Sequence, residues 1–203
     1  MFNHSHLPNV GLTEGKIPPE IYQSLNKEIV DIHTNDQGIL KMNESLAGQI
    51  TKEYQITKSL PLLNPFLEEM GRAYQKQWDY FPKENPNKDL KVESVWVNMQ
   101  KKLEVNPLHS HEGTLSFVAW LYVPFILEDE RNMENCKNSR TVELASTFQF
   151  VYTTALGTIA NCPMFVESGW EAKIIMFPAK LLHIVYPFQT SDDYRISIAG
   201  NLY

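Results

Sequence analysis

Residues 106–123 read Asn-Pro-Leu-His-Ser-His-Glu-Gly-Thr-Leu-Ser-Phe-Val-Ala-Trp-Leu-Tyr-Val. The last nine, 115–123, are mostly apolar, aromatic or β-branched and follow a glycine, which predicts a strand. The two histidines ahead of it stand two apart. In an extended segment such residues share a face, so His109 and His111 can aim both imidazoles at one spot.

Further strands are predicted downstream and upstream, over 92–100, 147–154, 173–177 and 194–202, each bounded by Pro, Gly, Asn or Asp. Strands in succession without intervening helices imply an antiparallel sandwich or jelly roll rather than a parallel sheet. The polar stretch 128–140 reads as a solvated surface loop, with a lid as the second reading. The first half has a different texture. Pro18 and Pro19 precede Ile21, Leu25, Ile29 and Ile32, which fall on one helical stripe. Asn64-Pro65 reads as the start of a second helix, carrying Phe66, Met70, Ala73, Tyr74, Trp78 and Phe81 at helical period until Pro82. Residues 43–56 read as a short strand plus a helical turn. The expected organisation is a single domain over 1–203, mainly β with N-terminal helices: a helical part over 18–82 packed on a β core over 90–203.

At 203 residues the chain is long enough to bury a substantial core, and its 43% hydrophobic and 11% aromatic content is that of a globular protein. A net charge of −6 with no Lys/Arg run weighs against broad phosphate-backbone binding, so nucleic acid is disfavoured. No apolar run approaches the ~20 residues of a membrane span, and residues 1–16 lack a secretory pattern. With only Cys136 and Cys162, a reduced, cytoplasmic protein is expected. A homodimer is the self-partner that its size class suggests.

Six histidines need sorting. His4 and His6 sit near the terminus with nothing to hold their geometry. His33 ends the first helix, an ordinary place for a cation. His183, between Leu181-Leu182 and Ile184-Val185, needs a partner if buried. Arg195 follows twelve residues later. Strand alternation puts Arg195 and Ser197 on one face, with Ile196 and Ile198 on the other. A part-buried arginine wants an anion: either a ligand carboxylate gripped by guanidinium and hydroxyl, or a protein acid such as Glu93, Glu143 or Glu167. Trp96, Asn98 and Gln100 share a face that can line a pocket, with Asn98 or Gln100 orienting substrate or cosubstrate. Tyr122, in phase with Ser116 and Trp120, is a further pocket candidate.

These residues resemble a known family. His109-Ser110-His111 before a strand, His183 beyond Phe177-Pro178, and Arg195-Ile196-Ser197 in the last strand resemble the 2-oxoglutarate- and Fe(II)-dependent oxygenases. Trp96-Val97-Asn98, Asn106-Pro107 and Leu115-Ser116-Phe117 are similar to oxygenases of marine bacteria and tailed phages, over residues 43–203. The resemblance implies a double-stranded β-helix (a cupin-like jelly roll), with Fe(II) and 2-oxoglutarate as cofactors. Dioxygen and an unidentified substrate are the partners, and the setting is a bacterium or a phage-infected cell. It implies that His109 is the first metal ligand and His183 the distal one, with Arg195 and Ser197 gripping the cosubstrate carboxylate. His111 stands at the second ligand position, so His109, His111 and His183 are expected on the metal, and Asn98, from its strand face, is the further cofactor-binding candidate. Most of that superfamily carries Asp or Glu where His111 stands. Glu112 is the neighbouring carboxylate, though strand parity aims it away. Two other classes share the histidines: a cupin-like protein that binds metal or carboxylate without turnover, and a hydrolytic zinc enzyme.

Overall fold

The computed structural model describes residues 10–35, 41–78 and 89–203. Strand β1 (Thr13–Lys16) leads into helix α1 (Pro19–Thr34), β2 (Lys52–Gln55) and helix α2 (Leu60–Gln77). Then follow β3 (Val92–Gln100), β4 (Asn106–His109), β5 (Leu115–Tyr122), a short α3 (Leu127–Arg131), β6 (Phe148–Thr153), β7 (Ile159–Met164), β8 (Lys173–Pro178), β9 (Leu182–Val185) and β10 (Arg195–Leu202).

The strands form two antiparallel sheets. The larger has the order β1-β8-β5-β10-β3-β2, and the smaller β4-β9-β6-β7. From β3 onward the chain passes back and forth between the two, which is the jelly-roll winding expected. Edge strands β1 and β2 come from the N-terminal part and widen the larger sheet.

Alternation on the larger sheet divides the interior in two. One face gives Val95, Val97, Met99, Phe117, Ala119, Ile174, Met176 and Ile198 to a core shared with Ile21, Leu25, Ile29, Leu63, Leu67 and Tyr74 of the helices. The other turns toward the smaller sheet, where Trp120, Phe148, Phe150, Ile175, Phe177 and Phe188 pack. The helices therefore cover the outside of the β-sandwich, and the site lies between the sheets.

Helix α1 follows the predicted stripe, with Pro19 at its start and His33 in its last turn. Helix α2 begins four residues before Asn64, and Pro65 lies inside it. The reason is tertiary. The buried carboxylate of Glu28 on α1 accepts the backbone N–H groups of Thr57, Lys58 and Ser59 at 2.7, 2.8 and 2.8 Å, ordering the chain ahead of the helix. The helix is assigned only to Gln77; Phe81 and Pro82, where it was expected to stop, lie outside the described residues, as do His4 and His6.

Two other expectations are corrected. The stretch 128–140 is not simply solvated: Glu130 within α3 is fully buried. Tyr122 does not face the inner cavity. A bulge in β5 opposite Ile196/Ser197 breaks its parity with Trp120, and Tyr122 lines an outer groove with Ile29, Val30 and His33.

Candidate metal and cosubstrate site

Strands β4 and β9 pair with His109 directly opposite His183, and His111 lies two residues beyond the end of β4. The turn that follows is held by Gly113, whose φ of 96° suits glycine; a Cβ there would lie 2.9 Å from the Leu202 carbonyl. The backbone N–H of His111 donates to Ala179 at 2.8 Å, tying this turn to the residues ahead of β9.

The result is a cluster. One ligand nitrogen from each of His109, His111 and His183 lies within 4.8 Å of the others, the one such group of His, Cys, Asp or Glu among the described residues. Ring centroids are 4.2–5.0 Å apart. His109 Nδ1 lies 2.6 Å from the Pro107 carbonyl and His183 Nδ1 3.0 Å from that of Leu181. A carbonyl only accepts, so both Nδ1 atoms carry the proton and Nε2 keeps its lone pair. Phe148 stacks on His183, with Phe150 and Phe177 around it, while Trp96 leans on His111. Burial holds His111 down to about 4 and His183 to about 3, with His109 as a further repulsive neighbour; burial lowers His109 as well. Near neutral pH all three are uncharged and can donate to a cation.

Glu112 does not join them. Its carboxylate pairs at 2.7 Å with Lys180, and both side chains are well exposed. Glu112→Ala is expected to leave metal affinity unchanged and to shift stability by no more than about 0.5 kcal/mol, as isothermal titration and melting would read.

Arg195 lines the same cavity as the histidines, together with Ser197, Asn98, Gln100 and Asn106. It is 3% exposed and lies across from Gln100 in the β3/β10 ladder. Its Nε and Nη2 donate to Gln100 Oε1 at 3.1 and 2.5 Å, Nη2 also to the Tyr186 carbonyl at 3.1 Å, and Nη1 at a long 3.4 Å to that of Ser146. A guanidinium has five N–H groups, so Nη1 retains an N–H without a partner. The acids Glu93, Glu143 and Glu167 do not neutralise it: Glu143 pairs with Arg131, Glu167 caps Leu127, and no ion pair among the described residues includes Arg195. Burial lowers Arg195 to about 9, partly offset by the charge of Glu130, so it stays cationic at neutral pH. Glu130 also fixes its surroundings, accepting from Ser146 Oγ, Gln189 N and Thr190 N.

Ser197 pairs with Asn98 across β3/β10, and Asn98 pairs with Glu53 across β2/β3. Sequence reading missed Glu53, whose setting Lys-Glu-Tyr-Gln looks like solvent-facing strand. It is 0% exposed, and Oε1 has no hydrogen-bond partner. Burial, with Glu104 nearby, raises its carboxyl from 4.5 to about 7. An acid with a raised folded value stabilises the fold fully below its unfolded value, and that contribution is lost as pH rises through about 7. Glu53→Gln, neutral throughout, is therefore expected to melt a few degrees above the parent at pH 8, the gap closing toward pH 5 in paired thermal scans.

The donor set fits a transition metal: three neutral imidazoles from two chain segments, two of them held by backbone carbonyls. A buried guanidinium with a spare N–H and no acid partner fits a carboxylate.

Residues 94–201 match the model of the family described as "Putative 2OG-Fe(II) oxygenase". No curated protein matches the sequence. Among solved structures, a Pseudomonas putida prolyl-4-hydroxylase superposes with a TM-score of 0.55 at 10% identity, covering 95% of this chain and 92% of that one. AviO1 from Streptomyces viridochromogenes Tue57 gives 0.53 at 10% identity, covering 95% and 89%. A 2OG-Fe(II) oxygenase-family oxidoreductase from Burkholderia pseudomallei gives 0.50 at 11% identity, covering 95% and 85%. At such identities the superpositions speak for the fold, whereas the family match runs from β3 to β10 and takes in every residue of the cluster. The chain belongs to the 2OG-Fe(II) oxygenase family, enzymes whose cofactors are Fe(II) and 2-oxoglutarate.

Proposed function

We propose that this oxygenase is a hydroxylase in which His109, His111 and His183 hold Fe(II) and Arg195, with Ser197 beside it, anchors the far carboxylate of 2-oxoglutarate. The observation that supports this most is the sharing of one cavity by three convergent imidazoles and a buried guanidinium that has no ion-pair partner among the described residues. Bound Fe(II) and 2-oxoglutarate supply the oxidising chemistry, consuming dioxygen while the cosubstrate leaves as succinate and carbon dioxide. The protein's part is positioning. Backbone carbonyls fix the tautomers of His109 and His183, and aromatic rings keep water from the His183 side. Gln100 holds the Arg195 fork in plane, its own Nε2 donating to the Glu104 carbonyl at 2.5 Å. Asn98, facing the cavity one strand from Ser197, is placed to orient cosubstrate or substrate.

A protein that binds without turnover, or a zinc hydrolase, would use the same histidines but has no need of Arg195 beside Ser197. Anaerobic addition of Fe(II) and 2-oxoglutarate is expected to produce a visible metal-to-ligand charge-transfer band, followed by succinate release when oxygen is admitted. Absence of the charge-transfer band from iron-loaded protein would overturn the reading.

A further inference from the structure

We propose that the substrate carries a primary amine or guanidine group, received by Glu53 with Asn98 and Asn106 beside it. This rests on the oxygenase reading and names the substrate class for the same cavity.

Three buried side-chain oxygens have no hydrogen-bond partner: Glu53 Oε1, Asn98 Oδ1 and Asn106 Oδ1. Asn98 and Asn106 line the cavity itself. Glu53 stands opposite Asn98 across β2/β3, and cross-strand partners present their side chains to the same face of a sheet. Leaving a buried polar group unpaired is costly, and more so for a charged one, so three such oxygens suit a ligand rich in donors. An ammonium or guanidinium offers only donors.

The surroundings have the matching sign. No Lys, Arg or His pairs with Glu53 or Glu104 among the described residues. Glu104 is held in place by the backbone N–H groups of Thr51 and Lys101, at 2.9 and 2.8 Å. Residues 43–50 fold over the carboxylate. Asn43 Nδ2 donates to the Ile50 carbonyl at 2.5 Å and reaches Glu53 Oε2 only at 3.4 Å. Gly48 lies so close that a Cβ would come within 2.5 Å of Oε1. Ile50, from the same segment, lines the cavity. Glu53 is thus walled from solvent by this segment and stands behind Asn98, on the strand next to the one whose Asn98 lines the cavity. The protein's net charge of −6 favours approach of a cation.

The test pairs compounds that differ in charge but little in shape: n-butylguanidine with n-butylurea, and n-pentylamine with 1-pentanol, with pentanoate as an anionic control. Each is added to protein loaded anaerobically with Fe(II) and 2-oxoglutarate, and read by calorimetry and by succinate release after oxygenation. At least one cationic member is expected to bind tenfold or more tighter than its neutral partner, as charge-assisted hydrogen bonds allow, and to stimulate turnover. Glu53→Gln should erase that preference while keeping the charge-transfer band and 2-oxoglutarate affinity. Equal binding within both pairs, no binding of either cation, preference for pentanoate, or an unchanged preference in Glu53→Gln would each overturn the proposal. These results require the band to be present, whereas absence of the band defeats the oxygenase reading itself. The wild-type comparison decides the question even if the variant fails to fold.

Discussion

His183→Ala is expected to lose Fe(II) affinity by more than ~100-fold, since substitutions merely behind a ligand already cost about 10–100-fold. His183 is 4% exposed, sits between His109 and three phenylalanine rings, and offers a lone pair fixed by the Leu181 carbonyl. Alanine removes one of three donors and leaves two imidazoles on one short segment, too few to enclose a cation. Anaerobic iron titration measures this, and circular dichroism reports whether the fold survives. The contrast with Glu112→Ala is informative, because Glu112 neighbours His111 in sequence yet points to Lys180. Metal loss in Glu112→Ala with retention in His183→Ala would reassign the ligands.

Arg195→Ala is expected to weaken 2-oxoglutarate at least ~100-fold while sparing iron. Charge-assisted hydrogen bonds contribute roughly 1.5–3 kcal/mol each, and a carboxylate gripped by Arg195 would lose the buried guanidinium that holds it. Arg195→Lys should recover little, because an ammonium cannot reproduce the planar fork that Gln100 and the Tyr186 carbonyl hold. Lys173 makes a useful control: it lies over the Trp170 ring at 4.1 Å, and Lys173→Ala should leave 2-oxoglutarate binding unchanged. Equal losses in the two alanine variants would remove the anion assignment. The Arg195 variants also test folding, since truncation leaves the Gln100, Ser146 and Tyr186 oxygens short of a donor.

Much of this architecture was legible because burial imposes alternation. In β10, Arg195 and Ser197 line the cavity and Ile198 enters the helix-side core, as period two requires. The strands carrying the histidines were harder to see. Asn106–His109 contains a proline and Leu182–Val185 is only four residues long, so each is defined by its pairing with the other, some seventy positions away. β7, with Asn161 and Pro163, and the polar β1 are edge strands whose composition resembles loop. Tyr122 shows the limit of parity, because one bulge turns a correct period into a wrong face. Glu53, Glu28 and Glu130 show another: an acid surrounded by polar residues gives no local sign of burial. What buries each is a segment distant in sequence or a loop closing over it. The grouping of His109, His111 and His183 could be anticipated from the sequence, whereas the buried acceptors without partners required the fold.

The central claim is most directly tested by a crystal structure of the anaerobic protein with Fe(II) and 2-oxoglutarate. One ion is expected about 2.1 Å from a ring nitrogen of each of His109, His111 and His183, with the distal carboxylate of the bound diacid on Arg195. An ion held elsewhere, or a diacid bound away from Arg195, would contradict it.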